Sequence, residues 1–391
     1  MNPVIIIGAG MAGYALAREF RKLRKDAPLL IITADDGGFY SKPMLSNAFA
    51  QGKSADQLVS QTAAQMAAQL DASILAGIAV QAIDPAAKAV QTSAGRFEYD
   101  KLVLAVGARP VRLALAGDAA GEVMSVNHIG DYRRFREAMA RYGDGARVAI
   151  IGAGLIGCEF ADDLAGAGYR VTLIDPNSLP LAALAPPALS RGLRAALRQR
   201  GVAFRLGTSV VRVDRAADGL RATLADGTDI NADIVLSAVG LRTELDLPRS
   251  AGLRTGRGIM VDAHGRTSAD DIHALGDCAE YMTDAGSRML PHVTPLMAAA
   301  RAIAATLAGR PAPIAWQPMP VLVKTLSFPM ALLPPASSGS GTWQETQYGE
   351  RIICRYYDGD GTMVGFGVAP QEASIRQALL GELGSVRLAI A

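Results

Sequence analysis

An α/β fold with two doubly wound parallel-sheet domains, followed by a small C-terminal α+β domain, is predicted for this 391-residue chain on three observations. A β-branched run, a Gly-x-Gly-x-x-Gly turn and a helical stretch occur together twice, at Val4 to Gly13 and at Val148 to Gly157, which is the context this turn needs before it means anything. Each copy is followed by a second short apolar strand, Leu29–Thr33 and Tyr169–Asp175, completing a β-α-β pattern. Beyond about residue 315 the pattern changes to short strands separated by Pro-, Gly- and Asp-rich turns. Half of the residues are hydrophobic, and a chain this long divides into two or three domains, each able to bury its own core.

The first copy reads Gly8, Ala9, Gly10, Met11, Ala12, Gly13. In such Rossmann-like turns the first glycine makes the tight strand-to-helix turn, the second lets a pyrophosphate approach the backbone, and the third lets helix and strand pack closely. The helix N-terminus then offers unpaired N–H groups and the positive end of its dipole to the anion. Thr33, Ala34 and Asp35, with Asp36 behind them, end the second strand, and the acids there are expected at an adenosine ribose. The second copy reads Gly152, Ala153, Gly154, Leu155, Ile156, Gly157, and its second strand ends in Asp175. A carboxylate at that position accepts hydrogen bonds from a ribose 2′-hydroxyl and repels a 2′-phosphate, which favours NADH over NADPH; a plain strand-end turn residue is the alternative reading. Each copy therefore predicts one bound dinucleotide.

Further along, Pro291 to Arg301 has the marks of a helix start, with Thr294 as N-cap and Pro295 as the first helical residue. In the tail, Arg351–Tyr357 and the turn Asp358–Gly361 predict an antiparallel sheet, and Ser337–Gly341 a flexible Ser/Gly loop.

Composition excludes several classes. The 39 basic and 37 acidic residues nearly cancel, so no overall field draws nucleic acid or an anionic membrane. No apolar run reaches the roughly 20 residues that span a bilayer. The N-terminus runs straight into a strand, without the order of segments a signal peptide needs, so a cytoplasmic protein is expected. Cys158, Cys278 and Cys354 stand singly, as do His128, His264, His273 and His292. That spacing supports neither a local disulfide nor a metal site, and each cysteine reads as a small buried hydrophobe.

With these motifs in place the chain resembles the glutathione-reductase-like flavoproteins. Lys101 to Pro110, including Ala105, resembles the strand and turn leaving their FAD domain; Ser237 to Thr243, including Gly240, resembles the return strand; and Ile272 to Ala279, with Gly276 and Asp277, resembles the second FAD fingerprint. Disulfide reductases of that family carry a cysteine pair near Tyr40–Ser46, and its oxidases and peroxidases a single cysteine. This sequence instead has Tyr40-Ser41-Lys42-Pro43-Met44-Leu45-Ser46, which resembles the members that feed ferredoxins and rubredoxins. Together with the Cys158-Glu159-Phe160-Ala161 stretch and Met319 to Thr325, it is most similar to the rubredoxin-reductase branch.

The resemblance implies a discontinuous FAD-binding domain (1–112 and 245–315), an NAD-binding domain (113–244) and a C-terminal domain (316–391). It implies FAD and NAD(H) as cofactors, rubredoxin or a similar small iron carrier as partner, and a monomer or homodimer. Lys42 is implied at the flavin edge and Glu159 at the flavin–nicotinamide contact, both as catalytic residues. Asp277 is implied at the ribityl hydroxyls, Val80 at the adenine, and the helix beginning near Val293 at the flavin's N1 and O2. Lys324 is implied as a second cation at the ring or at the docking surface. The basic run Arg18, Arg21, Lys22, Arg24, Lys25 is either a docking patch for an acidic carrier or a solvated helix face. Two alternatives remain: a ferredoxin reductase of the same fold, and a slow-turnover, redox-sensing protein that binds FAD and NADH.

Overall fold

A computed structural model of the chain describes residues 2–283, 286–335 and 340–385, so most of the Ser/Gly loop expected at 337–341 lies outside the described residues. The chain divides into two compact units. The first comprises residues 1–42, 56–109 and 241–317; the second comprises residues 43–55, 110–240 and 318–391.

The first unit is built on a parallel sheet in the order Ile272–Ala274, Lys101–Leu104, Val4–Ile7, Leu29–Ile32, Ser73–Leu75. Val4–Ile7 and Leu29–Ile32 are buried along their whole length, as continuous apolar strands are when a parallel sheet is covered on both faces. Each such Ile or Leu contributes roughly 1.5–3 kcal/mol by leaving water. The helix Met11–Leu23 buries Tyr14, Leu16, Ala17 and Phe20 and packs against the alanine-rich helix Val293–Leu307. That second helix starts earlier than the sequence predicts. Its N-cap is His292, with extended backbone (φ −130°, ψ 156°), and Leu296 N–H already donates to His292 C=O. Thr294 and Pro295 therefore lie inside the first turn, where a proline is tolerated because those N–H groups have no helical acceptor.

Of the basic run, Arg18 and Arg21 are engaged within this unit, whereas Lys22, Arg24 and Lys25 are exposed. Arg18 lies over the Phe39 ring and bonds Gln61. Arg21 donates to the carbonyls of Leu70, Asp71 and Ala27.

The second unit carries another parallel sheet, in the order Ala203–Leu206, Arg170–Asp175, Arg147–Ile151, Ile234–Ser237. Its last portion forms the antiparallel sheet foreseen for the tail, in the order Val321–Val323, Met330–Leu333, Met363–Ala369, Arg351–Asp358, Gly341–Tyr348. A cluster of Ala331, Met363, Phe366, Val368 and Leu379 fills one side of it. The helix Pro187–Gln199 packs on the two strands Arg351–Asp358 and Met363–Ala369. Among the described residues no helix is long and apolar enough to cross a membrane.

Candidate functional site

Both glycine turns have the geometry of an anion cradle. At Gly8 (φ +109°) a Cβ would stand 2.3 Å from Ala105 C=O, and at Gly13 it would stand 1.9 Å from Gly8 C=O; at Gly10 it would meet nothing within 4 Å. The second copy repeats this. Gly152 (φ +105°) approaches Ala238 C=O, Gly157 approaches Gly152 C=O, and Gly154 again faces open space. The outer glycines are thus required by the chain's own packing, and the space at the middle ones is what a pyrophosphate needs. The N-caps Gly10, Gly154 and His292 make no side-chain capping bond, as is also true of Pro186 and Glu372, so the first-turn N–H groups beside the two glycine turns stay open to an anion. By contrast the helices Ala63–Leu70 and Ile129–Tyr142 close their own ends with capping boxes. The residues present therefore fit two dinucleotides.

Around the first cradle, Thr33 is buried and donates to Asp35 Oδ1 at 2.6 Å; the same oxygen accepts Gly37 N–H at 3.0 Å. Ala34 lies between them, and Asp36 accepts Gly38 N–H. Val80 opens the strand Val80–Asp84, beside Thr92. Gly276 (φ +78°) is so close to Ala12 that a Cβ would lie 2.9 Å from that methyl, which joins the two FAD fingerprints of the sequence in one place. Asp277 follows it and pairs with Lys42, Nζ to Oδ2 at 3.1 Å, two residues 235 positions apart in sequence. Val293, exposed, stands at the head of its helix.

Around the second cradle, Asp175 is buried and already engaged. Its Oδ2 accepts Ala153 N–H at 2.7 Å, and its Oδ1 accepts the backbone N–H and side-chain amide of Asn177, each at 2.8 Å. These bonds take about three of a carboxylate's four acceptor positions. Leu155 and Ile156 form the first turn of the helix, and Ile156 is exposed. Gly240 (φ +105°) faces open space and accepts Val111 N–H through its carbonyl.

A dense polar cluster of the second unit surrounds Glu159. This side chain is 1% exposed. Its Oε2 accepts Ser46 Oγ–H at 2.6 Å and Asn47 Nδ2–H at 3.3 Å, and its Oε1 accepts Lys324 N–H at 3.0 Å. The Lys324 ammonium lies 3.1 Å from Oε2 and also donates to Pro43 C=O. A buried carboxylate is tolerated only with such a full set of partners. Asp162 and Asp163, on the same helix, were not singled out by the sequence reading. Asp163 accepts Phe49 N–H at 2.7 Å and Ala50 N–H at 3.1 Å, and burial pushes its carboxyl above the usual range. Asp162 Oδ2 accepts Leu326 N–H at 2.5 Å and Ser327 N–H at 3.3 Å. Its Oδ1 stands 3.4 Å from Arg200 Nε, out of line for a hydrogen bond. The missed signal was three acids on one helix at spacings of three and one with no basic residue in that helix to pair them.

All three cysteines are buried. Burial raises the thiols of Cys278, to about 11, and Cys354, to about 12, and that of Cys158 further still. None forms the thiolate that a cysteine relay needs near neutral pH.

Residues 2–304 match the family described as pyridine nucleotide-disulphide oxidoreductase, and residues 313–383 match the rubredoxin binding C-terminal domain. The rubredoxin-NAD(+) reductase of Alcanivorax borkumensis is 41% identical over 99% of this chain and 100% of its own. That of Acinetobacter baylyi is 42% identical over 94% and 93%. Among solved structures, a chain of the covalent putidaredoxin reductase–putidaredoxin complex superposes with a TM-score of 0.88 at 26% identity, covering 98% of this chain and 94% of that one. On this match, over most of its length, the chain belongs to the pyridine nucleotide-disulphide oxidoreductase family.

Proposed function

We propose that this chain is an NADH-dependent flavoprotein reductase that takes a hydride from NADH onto FAD and passes single electrons to rubredoxin or a similar small iron carrier. The observation that carries this reading is that both ends of such a route occur in one chain. Two glycine cradles leave room for two dinucleotides, and a segment similar to a rubredoxin-binding domain follows them. FAD, when bound, accepts electrons as a pair and releases them one at a time, which suits a one-iron acceptor.

The protein's own contribution is holding and polarising. Gly8, Ala9, Gly10, Met11, Ala12 and Gly13, with Ala105 and Gly276, form the FAD cradle, and Asp277 and Asp35 hold its hydroxyls. Val80 holds the adenine. Lys42, kept in place by Asp277, brings an ammonium to the flavin edge, and the head of Val293–Leu307 favours negative charge by about 0.3–2 kcal/mol. Gly152, Gly154, Leu155, Ile156, Gly157, Asp175 and Gly240 hold NADH. Glu159, oriented by Ser46 and Lys324, positions the nicotinamide. The FAD-binding domain comprises 1–112 and 245–315, the NAD-binding domain 113–244 and the C-terminal domain 316–391.

The test is steady-state NADH oxidation by FAD-loaded protein with purified rubredoxin and ferredoxin side by side. A preference for rubredoxin above about tenfold in kcat/KM, roughly 1.4 kcal/mol at the transition state, is expected. Equal rates, or a preference for ferredoxin, would contradict it.

A further inference from the structure

Glu159, Asp162 and Asp163 form a clasp in the second unit. They lie on one helix, all buried, and their carboxylates grip two segments remote in sequence. Asp163 holds Phe49 and Ala50 through their N–H groups, and Asp162 holds Leu326 and Ser327. Phe49 is also wedged among aromatic rings, with centroids 5.7 Å from Tyr132, 5.3 Å from Phe135 and 6.0 Å from Tyr169, and Arg136 lies over its face. Ser46 lies three residues before Phe49 and Lys324 two before Leu326. At no more than about 3.6 Å per residue, neither can move far from Glu159 while the clasp is closed.

We propose that Asp162 and Asp163 are positioning residues: by pinning these two segments they hold Ser46 and Lys324 on Glu159, and so set the rate of flavin reduction by NADH rather than the affinity for NADH. This rests on the proposed function, in which Glu159 positions the nicotinamide.

The two acids make different demands. Asp163 uses one oxygen for each N–H, so an asparagine turns its amide N–H₂ against a backbone N–H and loses a bond. Asp162 accepts both N–H groups on one oxygen, so an asparagine keeps both and gives up only the 3.4 Å ion pair of its other oxygen with Arg200. Asp163→Asn is therefore the damaging variant and Asp162→Asn the milder one, an order that burial alone does not predict.

The experiment pairs anaerobic stopped-flow reduction of FAD-loaded protein with amide hydrogen exchange over residues 43–55 and 324–327. For Asp163→Asn we expect the limiting rate of flavin bleaching to fall about tenfold, the NADH dissociation constant to stay within about twofold, and exchange over 43–55 to speed up. Asp162→Asn should lose less on both readouts. An Asp163→Asn protein reduced at the wild-type rate, or one that loses only NADH affinity, overturns the proposal. A wild-type protein that NADH does not reduce overturns the proposed function instead. Should Asp163→Asn fail to retain FAD, Phe49→Leu, which loosens the same segment by removing the ring contacts, carries the same three expectations.

Discussion

Asp175 closes the glycine turn through Ala153 N–H, and in the proposed function it is also the carboxylate that a 2′-phosphate would meet. Asp175→Ala should therefore raise kcat/KM for NADPH relative to NADH by at least about tenfold, while the unpaired Ala153 N–H costs about 1–3 kcal/mol of stability; cofactor kinetics and thermal melts check the two parts. Glu159→Gln keeps the shape but removes the charge facing Lys324, and the limiting rate of flavin bleaching should fall about tenfold in stopped flow. His273 is a purely structural case. It is 3% exposed with both ring nitrogens unpartnered, and burial lowers its pKa from the ordinary 6.5 to about 4. Between these values the unfolded chain binds a proton that the folded chain refuses, so stability falls as pH drops from about 6.5 towards 4, by up to about 3 kcal/mol. His273→Leu should flatten that slope in melts recorded across the window. At this scale the sequence drew attention to residues that sit inside a motif, as Lys42, Glu159 and Asp277 do. Asp162 and Asp163 were not, because acids in a helix ordinarily face solvent and their acceptor roles depend on segments about 110 and 165 positions away.

The strand–turn–helix elements were the most legible, because their glycines answer to short-range sterics. This gives a paired prediction. Gly13→Ala sets a methyl 1.9 Å from Gly8 C=O and should destabilise the first unit by at least about 1–3 kcal/mol. Gly10→Ala meets nothing within 4 Å, so the protein should fold yet purify without yellow colour; melting curves and flavin absorbance separate the two. The start of Val293–Leu307 was less legible. Thr294-Pro295 fits a cap and first residue by local preference, but the first turn accepts a proline at any of its early positions, and the hydrogen bond from Leu296 to His292 moves the start back.

Across the whole molecule, the repeat, the change of pattern near residue 315 and the match to known reductases agree on an electron-transfer flavoprotein. What sequence could not reveal was that residues 43–55 pack with the second unit although the chain on either side belongs to the first. There Phe49 meets a ring cluster from Tyr132, Phe135 and Tyr169 and its N–H meets Asp163, contacts that no local pattern encodes. Because its three cysteines are free and buried, the protein should work with Cys158 and Cys278 replaced. The most direct measurement is anaerobic stopped flow, in which FAD-loaded Cys158→Ala/Cys278→Ala protein is mixed with NADH and then with oxidised rubredoxin. Bleaching of the flavin within seconds, followed by its recovery as rubredoxin loses its colour, is the predicted result. A flavin that stays oxidised, or a bleached flavin that rubredoxin cannot reoxidise, would contradict the account.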